Sequence, residues 1–144
     1  KARPLTHEML ARFTGGRDVR WWWEHFAPPY VASRFDDGRG FSQLERIVPN
    51  ADERIWFVAE DNESPAFPIY ETSPVIAQRI IGECYGFEYY LVCKDFAWLL
   101  CENHHGVMIA IGEEVCDRLV KVGAEHGVGP DDQSPSAPAR RATQ

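Results

Sequence analysis

Two histidines, a cysteine, a carboxylate and an amide stand within five residues at Cys101-Glu102-Asn103-His104-His105, the densest grouping of reactive side chains in the sequence. Such a set suggests two kinds of chemistry. A structural zinc centre needs four ligands in a tetrahedron, and Cys93 on a neighbouring strand is a further donor. Adjacent residues of an extended chain point to opposite sides, however, so His104 and His105 meet one ion only from a sharply bent turn. A covalent catalyst needs Cys101 as thiolate, His104 or His105 as base and Glu102 as orienter, yet Cys101 and Glu102 face opposite ways on a strand. Neither arrangement is complete, so no catalytic residue, metal or cofactor is assigned. The plainer reading is a hairpin turn in which Asn103 and Gly106 take unusual backbone angles and the histidines bond locally. With Trp98 on the preceding strand, these five residues form one candidate site.

Two further segments have the composition of contact surfaces. Trp21-Trp22-Trp23 cannot all face inward from one helix, so at least one is exposed or lies under a loop. With Arg17, Arg20 and His25 nearby this is hot-spot composition for a protein partner, and Arg20 and Trp21 are taken as candidates. The second segment is acidic. Residues 1–49 hold eight basic and six acidic groups, a balance of +2, whereas residues 50–126 hold five basic and fourteen acidic, a balance of −9. Glu60, Asp61 and Glu63 lie where this charge is concentrated. A single-sign patch of that density steers a basic partner and raises its on-rate. Asp36-Asp37-Gly38 has the start of a calcium loop but lacks its remaining oxygen ligands.

The elements that must position these residues follow from periodicity. Met9, Leu10 and Phe13 share one face of a helix over Thr6–Phe13, with Thr6 as N-cap and Gly15-Gly16 as its break. Val19, Trp22, Trp23 and Phe26 mark a second helix over Asp18–Phe26, ended by Pro28-Pro29. Residues 30–40 read as a loop. Ser42-x-x-Glu45 reads as a capping box for a short helix through Leu44, Ile47 and Val48. Strands are predicted over Arg54–Glu60 and Pro68–Glu71. Ser73-Pro74 then caps a helix with Ile76, Ala77, Ile80, Ile81 and Cys84 inward and Gly86 as its stop. Three strands follow, Phe87–Cys93, Ala97–Glu102 and Val107–Ile111, the middle one apolar on both faces and so central. Gly112 leads into a last helix with Glu113 and Glu114 in its first turn and Val115, Leu119 and Val122 inward.

The expectation is an α+β fold: a mainly antiparallel sheet of four to five strands, N-terminal helices, one helix between strand groups and a C-terminal helix. The chain has 144 residues, a hydrophobic fraction of 44% and a net charge of −7. That is one domain, placed at residues 1–126, with a disordered tail at 127–144 rich in Gly, Pro, Ser and Ala. The net charge argues against nucleic acid as a partner. No apolar run approaches the roughly 20 residues of a bilayer span, and the polar start lacks a secretory signal. Four cysteines without a Cys-x-x-Cys pair read as free, buried small hydrophobes, which suits a cytoplasmic, reducing location.

Glu88-Tyr89-Tyr90, Trp98-Leu99-Leu100-Cys101-Glu102-Asn103-His104-His105 and Gly112, preceded by Glu53-Arg54-Ile55-Trp56-Phe57-Val58-Ala59-Glu60, give the chain its one family resemblance. It resembles a bacterial family of small single-domain proteins of unknown function that share an "EYY…WLLCENHH…G" stretch, over roughly residues 17–120. That resemblance implies a bacterial domain and supplies no catalytic roles. In class, small acidic α+β proteins are similar to immunity proteins that neutralise toxins. The leading expectation is therefore a non-enzymatic, immunity- or antitoxin-like interaction domain that binds another protein through an acidic surface. The alternatives are an enzyme or metal-binding module at the 101–105 hairpin, and a small-ligand binder with an aromatic pocket.

Overall fold

The computed structural model describes residues 2–15, 22–27, 29–35, 39–60, 68–84 and 87–128. In chain order they form α1 (Ala2–Phe13), a 3-10 helix (Trp22–His25), β1 (Val31–Arg34), a second 3-10 helix (Gly40–Gln43) running into α2 (Leu44–Ile47), β2 (Ile55–Ala59), β3 (Ile69–Thr72), α3 (Pro74–Glu83), β4 (Tyr89–Cys93), β5 (Leu99–Glu102), β6 (Val107–Ile111) and α4 (Glu113–Glu125). The strands make one six-stranded sheet in the order β1-β6-β5-β4-β2-β3, with every neighbouring pair antiparallel. The α+β class is as the sequence indicates, with one strand more than the predicted four to five.

The extra strand is β1, which lies in the stretch read as loop. Val-Ala-Ser-Arg has no apolar alternation of its own, and its strand conformation comes from pairing Val31 to Arg34 against Ala110 to Val107. That pairing closes one edge of the sheet.

Strand alternation divides the core into two. Phe57, Tyr89, Leu91, Leu100 and Met108 face α2, α3 and α4, which contribute Leu44, Ile47, Ala77, Ile81, Val115 and Leu119. Val58, Tyr90, Val92, Leu99, Cys101 and Ile109 face α1 and the first 3-10 helix, which contribute Met9, Phe13 and Trp22, and Phe26 just beyond that helix. With both faces covered, β4 and β5 are buried at every position, as the apolar middle strand predicts.

Several local expectations are corrected. α1 begins at Ala2, so Thr6 lies inside the helix rather than at its cap. The capping box does not form: Gln43 is the N-cap of α2 without a side-chain bond, and the Ser42 hydroxyl donates to the carbonyl of Arg39. Ser73 does cap α3, its Oγ accepting from the N–H of Ile76, with Pro74 at N1. Only Ala77 and Ile81 of the predicted apolar set on α3 are buried, while Ile76 and Ile80 remain 43% and 42% exposed and Cys84 is exposed. A helix at the rim of the layer has one face on the core and nothing behind it. The predicted helix over Asp18–Phe26 is described only from Trp22, where the chain is 3-10 up to His25. Residues 18–21, Pro28, the Asp36-Asp37-Gly38 segment, Gly86 and the predicted tail from 129 onward lie outside the described residues.

α4 follows the sequence reading most closely. Gly112 at its N-cap has φ +107°, and a Cβ there would stand 2.7 Å from Cβ of Trp98. Only glycine accepts both the backbone angle and the contact. No described helix is long and apolar enough to cross a membrane.

Candidate functional site

The β5–β6 turn is closed by Asn103, which is 3% exposed. Its Oδ1 accepts from the N–H groups of His105 at 2.9 Å and Val107 at 3.1 Å. Its own N–H donates to the carbonyl of Val107, and its carbonyl accepts from Gly106. Gly106 takes φ +77°, as expected, but Asn103 has no positive φ and works through its side chain. This geometry leaves His104 and His105 at the exposed tip, their ring centroids 4.1 Å apart.

What holds the tip is Glu88, the residue before β4. It is 0% exposed. Its Oε2 accepts from Nε1 of Trp23 at 2.8 Å and from the backbone N–H of His104 at 3.1 Å, and it lies 2.5 Å from Nδ1 of His104. Oε1 has no hydrogen-bond partner among the described residues. Trp23 completes the group, with its ring edge-on to both His104 at 5.8 Å and His105 at 5.7 Å.

The first 3-10 helix makes this possible. Trp22 and Trp23, assigned to one apolar stripe in the sequence reading, diverge. Trp22 is buried against the Tyr90 ring with centroids 4.8 Å apart, while Trp23 is half-buried over the turn. Backbone N–H groups of Trp23 and Trp22 are directed at the Tyr90 oxygen, and burial pushes that phenol far above its usual range. The Trp run and the histidine turn, remote in sequence, thus meet at Glu88.

Glu60 joins the same end of the sheet. Its N–H donates to the backbone carbonyl of Glu88 at 2.9 Å, one step beyond the Ala59–Tyr89 pair of β2 and β4. Asp61 and Glu63, and likewise Arg20 and Trp21, lie outside the described residues. The rest of the predicted acidic segment is partly neutralised. Glu71 takes Lys94 at 2.7 Å and Arg54 at 3.4 Å, and the Lys94 hydrogen bond holds its carboxyl below the usual range. Glu53 is pushed the other way, by burial and then by Asp95.

The remaining hairpin residues lie elsewhere in the packing. Cys101 is fully buried on the α1 face, and burial followed by the charges of Glu88 and Glu102 pushes its thiol well up. That environment disfavours a thiolate. Glu102 is on the opposite face, where its Oε1 accepts from the Tyr89 hydroxyl at 2.7 Å; burial raises its pKa and the Tyr89 bond partly offsets this. It does not orient a histidine; Glu88 has that position. Trp98 is 6% exposed in the α2–α4 face, away from the turn. Among the described residues no group of three or more His, Cys, Asp or Glu side chains is placed to hold a metal ion.

Glu88 was missed as a site residue because its role depends on partners 65 and 16 positions away. The one available signal was a carboxylate entering a fully apolar strand, Glu88 before Tyr-Tyr-Leu-Val-Cys. Residues 3–123 match the model of DUF6756, a family of unknown function. The chain belongs to this family. Comparison with curated proteins and with solved structures gave no match. In this DUF6756 chain the matched residues include the whole Trp23–Glu88–His104–His105 group.

A separate cavity of about 570 Å³ lies at the other end of the sheet, between α1, the start of β1 and the start of α4. Phe13, Tyr30, Ile111 and Cys116 line it, with Arg12 and Asp117 among its polar groups.

Proposed function

We propose that this DUF6756 chain is a non-enzymatic protein-interaction domain of the immunity or antitoxin type. Its contact surface is the end of the sheet where Glu60, Trp23 and the His104-His105 turn meet. The observation that supports this is the convergence on Glu88: one buried carboxylate fixes Trp23 and His104, while the Glu88 carbonyl fixes Glu60. The effect of Glu88 is to hold an aromatic and an imidazole at the surface in one arrangement, which lowers the ordering cost of binding. The balance of −9 over residues 50–126 favours a basic partner and a fast, salt-sensitive encounter. The test is affinity capture from the native host with wild-type protein, with Trp23→Ala/His105→Ala and with Glu60→Lys. A stoichiometric partner retained by the wild type and lost by both variants supports the reading. Identical capture by all three overturns it.

A second reading, a small-ligand binder, is favoured by the cavity beside Phe13 and Tyr30, whose size lies in the range of small-molecule sites. A thermal-shift screen of small apolar compounds against wild type and Ile111→Trp tests it. Stabilisation seen in the wild type and abolished by the filled cavity supports it, and stabilisation that survives the substitution overturns it.

A further inference from the structure

The cavity of about 570 Å³ at the end of β6 carries charges of both signs that do not meet. α1 packs on one face of the sheet and α4 on the other, and the cavity opens between the end of the first and the start of the second. Arg12 therefore lines it from one side, and Glu113 and Asp117 from the other. All three are exposed, and none has an ion-pair partner among the described residues. Nε of Arg12 donates to the Phe96 carbonyl at 3.2 Å, which orients the guanidinium and leaves its two Nη groups for another acceptor. Glu113 and Asp117 stand at i and i+4 on α4, so their carboxylates can reach one cation together. Phe13, Tyr30 and Ile111 supply the apolar part of the wall. The Cys116 thiol beside them is committed to the Ala110 carbonyl at 3.2 Å.

We propose, resting on the small-ligand reading of this cavity, that its ligand is a free α-amino acid with a large apolar side chain. The charges select that class. The ligand carboxylate accepts from the Nη groups of Arg12, the charge-assisted pairing that a guanidinium favours. The ligand ammonium, a cation with three donors, is held by Glu113 and Asp117. The side chain lies against Phe13, Tyr30 and Ile111, in the way apolar walls with a few placed polar groups bind small molecules. An apolar acid answers Arg12 but sets its carboxylate beside two others. An apolar amine answers the two carboxylates but sets its charge beside Arg12. An uncharged apolar compound uses the wall and leaves all three charges unpaired. A ligand with both charges side by side on an apolar body pairs every one of them.

The experiment is isothermal titration calorimetry of the full chain with L-leucine, L-phenylalanine and L-tryptophan up to about 10 mM, a range that detects millimolar binding. At least one is expected to bind. Its amide and its N-acetyl derivative, each lacking one charge, are expected to bind about tenfold more weakly. Arg12→Met is expected to erase the advantage over the amide, and Glu113→Gln/Asp117→Asn the advantage over the N-acetyl derivative. These three positions are solvent-exposed, so the variants keep the native circular dichroism spectrum. Blocked derivatives that bind as well as the parent overturn the proposal, and so does binding that neither variant alters. If none of the three amino acids binds while apolar compounds still stabilise the wild type and not Ile111→Trp, the amino-acid ligand is overturned and the small-ligand reading stands. If neither kind of compound binds, both fall.

Discussion

The two turns of the β4–β5–β6 meander join strands of the same sheet and are closed in different ways. At the β4–β5 turn the closing bonds are local, and two bonds at its exposed side reach further, from Nε of Arg12 to the Phe96 carbonyl at 3.2 Å and from Lys94 to Glu71 at 2.7 Å. The Cys93 thiol donates to Oδ1 of Asp95 at 2.9 Å, and its sulfur accepts from the N–H groups of Ala97 and Trp98. Oδ1 of Asp95 also accepts from Ala97, and Phe96 takes the turn's positive φ of 61°. Burial, then the hydrogen bond to Asp95, pushes the Cys93 thiol up to about 11, so at neutral pH it acts as a donor rather than a nucleophile. At the β5–β6 turn Asn103 does the local closing, and His104 is committed to a carboxylate 16 residues away that also holds Trp23. A turn closed by its own side chains draws only exposed contacts from the rest of the fold. A turn tied to a buried distant carboxylate is positioned by the fold, and its exposed side chains have a fixed arrangement to offer a partner.

The largest expected effect separates the turns directly. Glu88→Ala removes the acceptor of Trp23 and His104 and leaves two partly buried donors unpaired, at a cost of about 3 kcal/mol. Urea unfolding measures it, and a red-shifted, more quenchable Trp fluorescence marks the release of Trp23. Glu88→Gln, which keeps an acceptor oxygen and the side-chain volume, is expected to cost about 1 kcal/mol. If Glu88→Ala costs under about 0.5 kcal/mol, the β5–β6 turn is as self-sufficient as its neighbour and the contrast fails.

The next effect tests the local half of that turn. Asn103→Ala deprives the N–H groups of His105 and Val107 of their acceptor, and the second of these is in a buried strand. About 2 kcal/mol is expected, read from the same unfolding curves. The Trp23 fluorescence should change little if Glu88, and not Asn103, positions the tryptophan.

The smallest effect, and the one with opposite signs at the two turns, is the response to acid. The Cys93 thiol, then the Ala97 N–H, holds Asp95 below the usual 3.8. Its support is therefore present above that value and is lost as pH falls through the lowered folded value. Burial raises Glu102, beside the β5–β6 turn, above the usual 4.5, and the Tyr89 bond only partly offsets this. The folded state then holds that proton more tightly than the unfolded chain, so the Glu102 contribution is present below 4.5 and is lost as pH rises through the raised value. Stability measured between about pH 3 and 7 should lose part of its acid-side fall in Asp95→Asn and part of its rise-side fall in Glu102→Gln. Two variants that bend the curve the same way break the comparison.

How much of this was legible follows from where each signal resides. The alternation of β2, β4, β5 and β6, the Ser73-Pro74 cap of α3 and the stripe of α4 are properties of short windows, and short windows encode them. The 101–105 cluster and the Trp run were also visible as unusual composition. Their meeting was not, because Trp23 and Glu88 are 65 positions apart and no local period links them. β1 was hidden for the same reason: its four residues become a strand only against β6. The inward set on α3 was over-read because Ile76, Ile80 and Cys84 fit a helical stripe, and periodicity does not say whether a second layer stands behind it.

By itself the sequence determined most of the helices and strands, β1 excepted, that β5 is central, and that Gly112 leads into α4. Those are consequences of side-chain period and capping, both local. Only the tertiary structure decided that Glu88 is the residue on which the tryptophan and histidine segments close, and that Glu102 faces the other side of the sheet. Strand pairing sets those positions. It brings together residues far apart in the chain and sends neighbours such as Cys101 and Glu102 to opposite faces.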